Sequence, residues 1–297
     1  MTQSQLDALA QINLDDLVAS FGWEKRPLFS SALRRLFIRP AHTFAQQVIE
    51  FDNFVGLMGL REATRQTLRA RYVQDIRVHG SEHVPANGPV LFLSNHPGMA
   101  DTIALFSAID RSDLRIIALH RPFLASLVHL SRQISYISDD GDERVRTTRE
   151  ISTHLRKGGA ALTFPAGDIE PDPAVYDDAE DSLKNWIDSA GVFIRFARDL
   201  KIVPVLVSGV VWNKAVRHPL TRIKRTRKER DKLAAALQLL PMIMYNMRPT
   251  TVHVEFAEPI TLDEVGSTDT HVIHEAIIER MRGLLRHKSA DGGVSAL

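Results

Sequence analysis

The chain contains no cysteine in its 297 residues, which excludes disulfides, thiolate metal sites and cysteine nucleophiles together. Aromatics are sparse at 7%. Trp23, Trp186 and Trp212 read as packing residues, because none falls in the repeated basic-aromatic pattern that stacks nucleic-acid bases, and no nucleic-acid partner is expected. No apolar run reaches the ~20 residues needed to span a bilayer. The opening Met1-Thr2-Gln3-Ser4-Gln5-Leu6-Asp7 lacks the basic-then-apolar order of an export signal. Gly-x-Ser-x-Gly, Gly-x4-Gly-Lys-Ser/Thr and Gly-x-Gly-x2-Gly are all missing, which weighs against a serine-hydrolase elbow and against nucleotide-binding loops. His271 and His274 have a spacing a metal site uses, but no adjacent acid completes a ligand set, and no metal is expected.

What is present is an ordinary globular composition, 44% hydrophobic and 25% charged, with a net charge of +1. The charge is unevenly spread. Lys214, Arg217, Arg222, Lys224, Arg225, Arg227, Lys228, Arg230 and Lys232 fall in one short segment whose only acids are Glu229 and Asp231. The apolar stretch from Leu233 to Tyr245 follows directly, so a basic face adjoins an apolar one, as in interfacial segments. The same pattern also describes a solvated helix packed by its other side. Pro27 to Arg39 repeats the theme more weakly.

Residues up to about 75 carry helical periodicity, and short apolar runs then alternate with helical patterns, as in an α/β fold. Strands are predicted at Gln74–Val78, Pro89–Ser94, Leu114–Leu119, Ile134–Ile137, Ala160–Phe164, Ile202–Val207 and Thr251–Phe256. Helices are predicted over Arg144–Lys157, closed by Gly158-Gly159, and over Leu183–Leu200. The expected architecture is a mixed sheet covered by helices. Residues 1–72 form a helical N-terminal appendage, 73–288 the α/β domain and 289–297 a flexible tail. Pro204 inside its strand calls for an edge or a bulge.

Two loops carry chemistry. Ser94-Asn95-His96-Pro97-Gly98-Met99-Ala100-Asp101 follows an apolar strand and sets a histidine and an aspartate on either side of four residues. Histidine titrates near neutral pH, and a carboxylate on one ring nitrogen would fix the tautomer and leave the other as a base. Pro97-Gly98 supplies a turn that brings the two together. The octapeptide reads equally as a surface histidine beside a helix cap. The second loop, Pro165-Ala166-Gly167-Asp168-Ile169-Glu170-Pro171, closes the strand ending at Phe164 with a glycine that permits close ligand approach and two carboxylates. It also reads as an ordinary turn.

The order of four blocks is more specific than any one of them. Asn95-His96-x4-Asp101, Phe164-Pro165-x-Gly167, Ile202-Val203-Pro204-Val205 and Val254-Glu255-Phe256-Ala257-Glu258-Pro259-Ile260 together resemble the glycerolipid acyltransferases, which include glycerol-3-phosphate and lysophosphatidic acid acyltransferases. The resemblance covers roughly residues 75 to 262. It implies an acyltransferase-type fold and an O-acyltransferase that moves a fatty acyl group from acyl-coenzyme A or acyl carrier protein to a lipid hydroxyl. It implies catalytic roles for His96 and Asp101, and substrate contacts at Asn95, Gly98, Phe164, Pro165 and Gly167, to which the loop's own carboxylates add Asp168 and Glu170 as candidate contacts. Backbone N–H groups near Gly98 or Gly167 are candidates for the oxyanion donors. Arg144, ahead of Arg146, is taken as the match for a family arginine that follows an apolar strand and as a substrate contact; it reads equally as a solvent-exposed helix arginine. No metal or redox cofactor is implied, and the acyl thioester is a co-substrate. A peripheral position on the inner face of the cell membrane is expected.

The third family block usually reads Phe-Pro-Glu-Gly-Thr-Arg-Ser, whereas Ala166 stands for its glutamate and Asp168-Ile169 for its Thr-Arg. A carboxylate at 168 repels an anion, which opens the acceptor to lyso-lipids and amino-alcohol or ornithine-type groups as well as to glycerol phosphate. The alternative to an enzyme is a catalytically inactive lipid- or polyanion-binding protein that uses the 214–232 segment.

Overall fold

The computed structural model describes residues 3–21, 27–138, 140–188, 190–287 and 293–297. Three helices, α1 (Gln3–Phe21), α2 (Pro27–Met58) and α3 (Leu60–Ala70), precede β1 (Asp75–His79). Then follow β2 (Val90–Ser94), α4 (Met99–Ala108), β3 (Leu114–Leu119), α5 (Pro122–Ala125), β4 (Ile134–Ile137), α6 (Gly141–Arg156), β5 (Ala160–Thr163), α7 (Ala190–Phe196) and β6 (Lys201–Ser208). The last elements are α8 (Asn213–Val216), α9 (Arg227–Tyr245), β7 (Thr251–Phe256), α10 (Leu262–Val265), α11 (Thr270–Arg286) and β8 (Val294–Ser295). Trp23 lies outside the described residues.

The strands form one mixed sheet in the order β4-β3-β5-β2-β6-β7-β1-β8. β4, β3, β5, β2 and β6 run parallel, β7 is antiparallel to β6, and β1 is parallel to β7. Alternation along the central strands divides the interior in two, because successive side chains point to opposite faces. Val90 and Phe92 of β2 join one core with Ala104 and Leu105 of α4, Leu68 of α3 and Leu9 and Leu14 of α1. Leu91 and Leu93 join the other with Ile151 and Leu155 of α6, Ile194 of α7 and Ile277 of α11. The N-terminal helices are thus part of the main core, packed on one face of the sheet.

Three expectations change. Val294 and Ser295, within the tail expected to be flexible, pair antiparallel with Val78 and Arg77 of β1, and Ala296 is buried. The helix expected over Leu183–Leu200 is broken into a 3-10 turn, Ala179–Asn185, and α7. Polar anchors at Ser182, Trp186 and Ile187, described below, hold this stretch along the loop after β5. Pro204 is not at an edge, since β6 runs between β2 and β7. Val205 faces Phe256 while Ile202 faces Ile260, so the β7 side carries an extra residue beside Pro204, and its missing N–H falls at that irregularity.

Candidate active site

β2, β5 and β6 are adjacent and parallel, so the chain leaves all three at one edge of the sheet, where α/β folds place ligands. The exit from β2 is pinned first. The Asn95 amide accepts from Val207 N–H (2.7 Å) and donates to Val207 C=O (2.8 Å), which adds a side-chain rung to the β2–β6 ladder. Asn95 is buried with both polar atoms occupied, so it builds the site and does not line it as a substrate contact.

His96 comes next, and its Nδ1 is 2.8 Å from Asp101 Oδ2. The same oxygen accepts the Gly98 N–H at 2.7 Å, and Oδ1 accepts the Thr102 hydroxyl at 2.9 Å. Gly98 precedes α4 and Asp101 is its third residue, the position from which a carboxylate reaches back to the N-terminal N–H. Asp101 thus holds the imidazole and caps α4 with one carboxylate, from the third helical residue and not as the N-cap, which is Gly98. The Asp101 side chain is 0% exposed and that of His96 26%. With Nδ1 held, Nε2 is the nitrogen left to face an incoming group.

The loop after β5 supplies the opposite wall. Gly167 N–H donates to Phe164 C=O at 3.1 Å, closing a turn in which Gly167 takes a positive φ of 65°. The Phe164 ring lies 4.5 Å from the His96 ring. Pro165 is buried, whereas Gly167, Asp168 and Ile169 are exposed. Glu170, expected to contact substrate, is instead buried: Oε2 accepts the His96 N–H (3.0 Å), and Oε1 accepts Ser182 Oγ (2.8 Å) and Trp186 Nε1 (2.9 Å). Its own N–H donates to His96 C=O at 2.8 Å. Asp172, fully buried, accepts from Gly209 and Val211 N–H and so ties this loop to the exit of β6. At Gly209 φ is 74° and an added Cβ would stand 2.4 Å from Thr251 C=O, so only glycine fits there.

The local field is negative. Burial by itself would lower the His96 pKa, but the Asp101 charge and hydrogen bond, helped by Glu170 and Asp168, outweigh it and the net shift is upward. Burial raises the Glu170 and Asp172 carboxyls despite the donors they hold. Among the described residues, no group of three or more His, Asp or Glu side chains is arranged to hold a metal ion.

Residues 75–208, from β1 to the end of β6, match the family model described as Acyltransferase. The chain is also similar to a solved structure, the 1-acyl-sn-glycerophosphate (LPA) acyltransferase PlsC from Thermotoga maritima, at 18% identity and a TM-score of 0.47, over 94% of this chain and 99% of that one. No curated protein sequence matches the chain.

Within the matched segment, the structure gathers His96, Gly98, Asp101, Phe164, Asp168 and Glu170 at one edge. Arg144 lies on the exposed first turn of α6, which follows β4, and β4 is three strand spacings from β2, about 14 Å. Of the backbone N–H groups near Gly98 and Gly167, those of the two glycines themselves are already bound, Gly98 N–H to Asp101 and Gly167 N–H to Phe164 C=O. Ser182, Trp186 and Asp172 are absent from the sequence-derived site. Trp186, read there as packing, is buried and hydrogen-bonded to Glu170. No local pattern marks these residues, because their partners come from other loops.

Proposed function

We propose that the protein transfers a fatty acyl group from a thioester, carried by coenzyme A or an acyl carrier protein, to a hydroxyl of a glycerolipid-like or lyso-lipid acceptor. The observation that carries this reading is the His96–Asp101 pair at 2.8 Å with its second imidazole nitrogen left open, inside the segment that matches the Acyltransferase family model. Nε2 takes the hydroxyl proton as the acceptor oxygen attacks the thioester carbonyl; the C–O bond forms, the C–S bond breaks, and the imidazolium returns the proton to the departing thiolate. Asp101 keeps the Nδ1–H tautomer and stabilises the imidazolium.

Asp168 is exposed beside His96 and adds negative charge there, which favours a neutral or cationic acceptor over a phosphate monoester. Peripheral contact with an anionic membrane is supported by the chain leaving β6 on the same edge. There Leu220 (46% exposed) and Ile223 (73%) stand among exposed Lys214, Arg217, Arg222 and Arg225. Among the described residues no helix is long and apolar enough to cross a membrane.

The test is incubation of the purified protein with labelled acyl-coenzyme A or acyl carrier protein thioester, a panel of lyso-lipids, and glycerol 3-phosphate, followed by identification of the product. His96→Ala is expected to fold and to bind vesicles but to transfer nothing; wild-type turnover in that variant would sink the mechanism. Robust acylation of glycerol 3-phosphate would contradict the role given to Asp168. Salt-sensitive binding to any polyanion with no acyl transfer would favour an inactive binding protein.

A further inference from the structure

We propose that Glu170 is a positioning residue that holds the His96 main chain at both of its polar groups and thereby sets where Nε2 stands. The His96 N–H donates to Glu170 Oε2 (3.0 Å), and the Glu170 N–H donates to the His96 C=O (2.8 Å), so one residue closes a two-bond ring across the loops that leave β2 and β5. Behind it, Ser182 Oγ and Trp186 Nε1 lock Oε1 at 2.8 and 2.9 Å. The imidazole is therefore fixed from two sides: Asp101 of α4 sets the ring, and Glu170 sets the backbone that carries it.

A carboxylate is a costly choice for this task. Glu170 is 5% exposed, and a buried anion without a cation is unfavourable unless several donors surround it. One residue away, the neutral Asn95 amide makes a comparable pair of backbone bonds without charge. What the carboxylate adds is a negative charge beside a ring that becomes positive on taking a proton. The charged groups facing His96 are Asp101 from α4 and Asp168 and Glu170 from the loop after β5. Glu170 thus serves placement and charge together.

The inference rests on the acyl-transfer reading for its kinetic assay but not for its spectroscopic one. In Glu170→Gln the single amide oxygen can serve either His96 N–H or the Trp186 indole, and neither of those donors can reverse its role. Displacement of the histidine is expected to lower kcat about 10- to 100-fold with KM for the thioester nearly unchanged. Adding Trp186→Phe removes the competing donor and leaves Ser182, whose hydroxyl can accept, so the double variant should recover part of kcat. In both variants the His96 pKa, followed by NMR of labelled imidazole, should fall with the loss of the Glu170 charge, carrying the acid limb of the kcat profile to lower pH. Folded Glu170→Gln with wild-type kcat and an unmoved His96 pKa would overturn the proposal. So would a folded double variant with no recovery of kcat, or the failure of both chains to fold, which would make Glu170 structural only. A wild-type protein inactive with every thioester and acceptor would overturn the acyl-transfer reading while leaving the pKa comparison to decide this one.

Discussion

Asp101→Asn separates charge from geometry at the centre of the site. Oδ2 receives both the His96 Nδ1–H and the Gly98 N–H, while Oδ1 receives the Thr102 hydroxyl. An asparagine amide group placed at the Oδ2 position would confront the Gly98 N–H, so its carbonyl oxygen must take that position. Its NH2 then meets Thr102, whose hydroxyl can turn and accept. The histidine keeps its tautomer and orientation and loses only the facing negative charge. Unlike charges about 4 Å apart at an effective dielectric near 20 attract by about 4 kcal/mol, close to 10^3-fold in rate. The His96 side chain keeps 26% of its surface in solvent, which trims the figure. We expect kcat for acyl transfer to fall about 10^2- to 10^3-fold, with little change in thermal stability. The direction in pH follows from the same atoms. Asp101 raises the His96 pKa by charge and hydrogen bond against the opposing effect of burial, and the neutral imidazole is the proposed base, so the variant's acid limb is expected to move to lower pH. Stopped-flow or discontinuous assay of labelled product from about pH 5 to 9 reads both. A folded variant within tenfold of wild-type kcat, or one whose acid limb stays in place, would refute the assignment of base and orienter.

Asn95→Ala leaves Val207 N–H and C=O without partners in a buried place, which should cost about 2 to 4 kcal/mol in urea unfolding; a loss below about 1 kcal/mol would mean that water replaces the rung. Arg111 sits at the opposite edge, where its buried guanidinium binds Pro85, Gly88 and Gly158 carbonyls and Asp113 at the starts of β2, β5 and β3. Arg111→Ala is expected to cost about 3 to 5 kcal/mol with kcat per folded molecule unchanged, and altered kcat would show that the two edges are coupled. Because the folded-state pKa of His96 lies above its ordinary 6.5, the stability it contributes is fully present below that value and is lost as pH rises through the folded pKa. Unfolding free energies of wild type and His96→Asn should therefore converge as pH increases, and a gap that widens would reverse the sign of the shift.

β2, β5 and β6 are legible as apolar runs that the sheet buries on both faces, and β1 and β7 as apolar-polar alternation with one buried face. β8 is not, since two exposed residues at the end of a polar segment carry no periodic signal. Leu183–Leu200 misleads for the opposite reason: its apolar spacing suits a helix, but Ser182 and Trp186 are bound to Glu170, and Ile187 N–H to Pro165 C=O, which pulls the chain out of helical register. Side-chain roles follow the same division. Residue type and order identify His96 and Asp101, whose partnership is local. Asn95 and Glu170 look like ligand groups in sequence because nothing there shows their burial, and their partners, Val207, Ser182 and Trp186, are brought in only by the folded sheet and loops.

The double use of Asp101 explains why the histidine and aspartate stand where they do. A helix that begins directly after a turn exposes N–H groups that need an acceptor, and an imidazole that is to act as the proposed base on one nitrogen needs an acceptor on the other. A carboxylate at the third helical residue meets both needs with one oxygen, because Gly98 N–H and His96 Nδ1 converge on Oδ2. The four intervening residues are the length of chain required to turn out of β2 and complete the first turn of α4. Moving the aspartate by one residue along α4 would rotate it by about 100° and lose the cap and the orienter together. The spacing is therefore set by the helix as much as by the chemistry, and a shift of one position should abolish activity and destabilise α4 in the same variant.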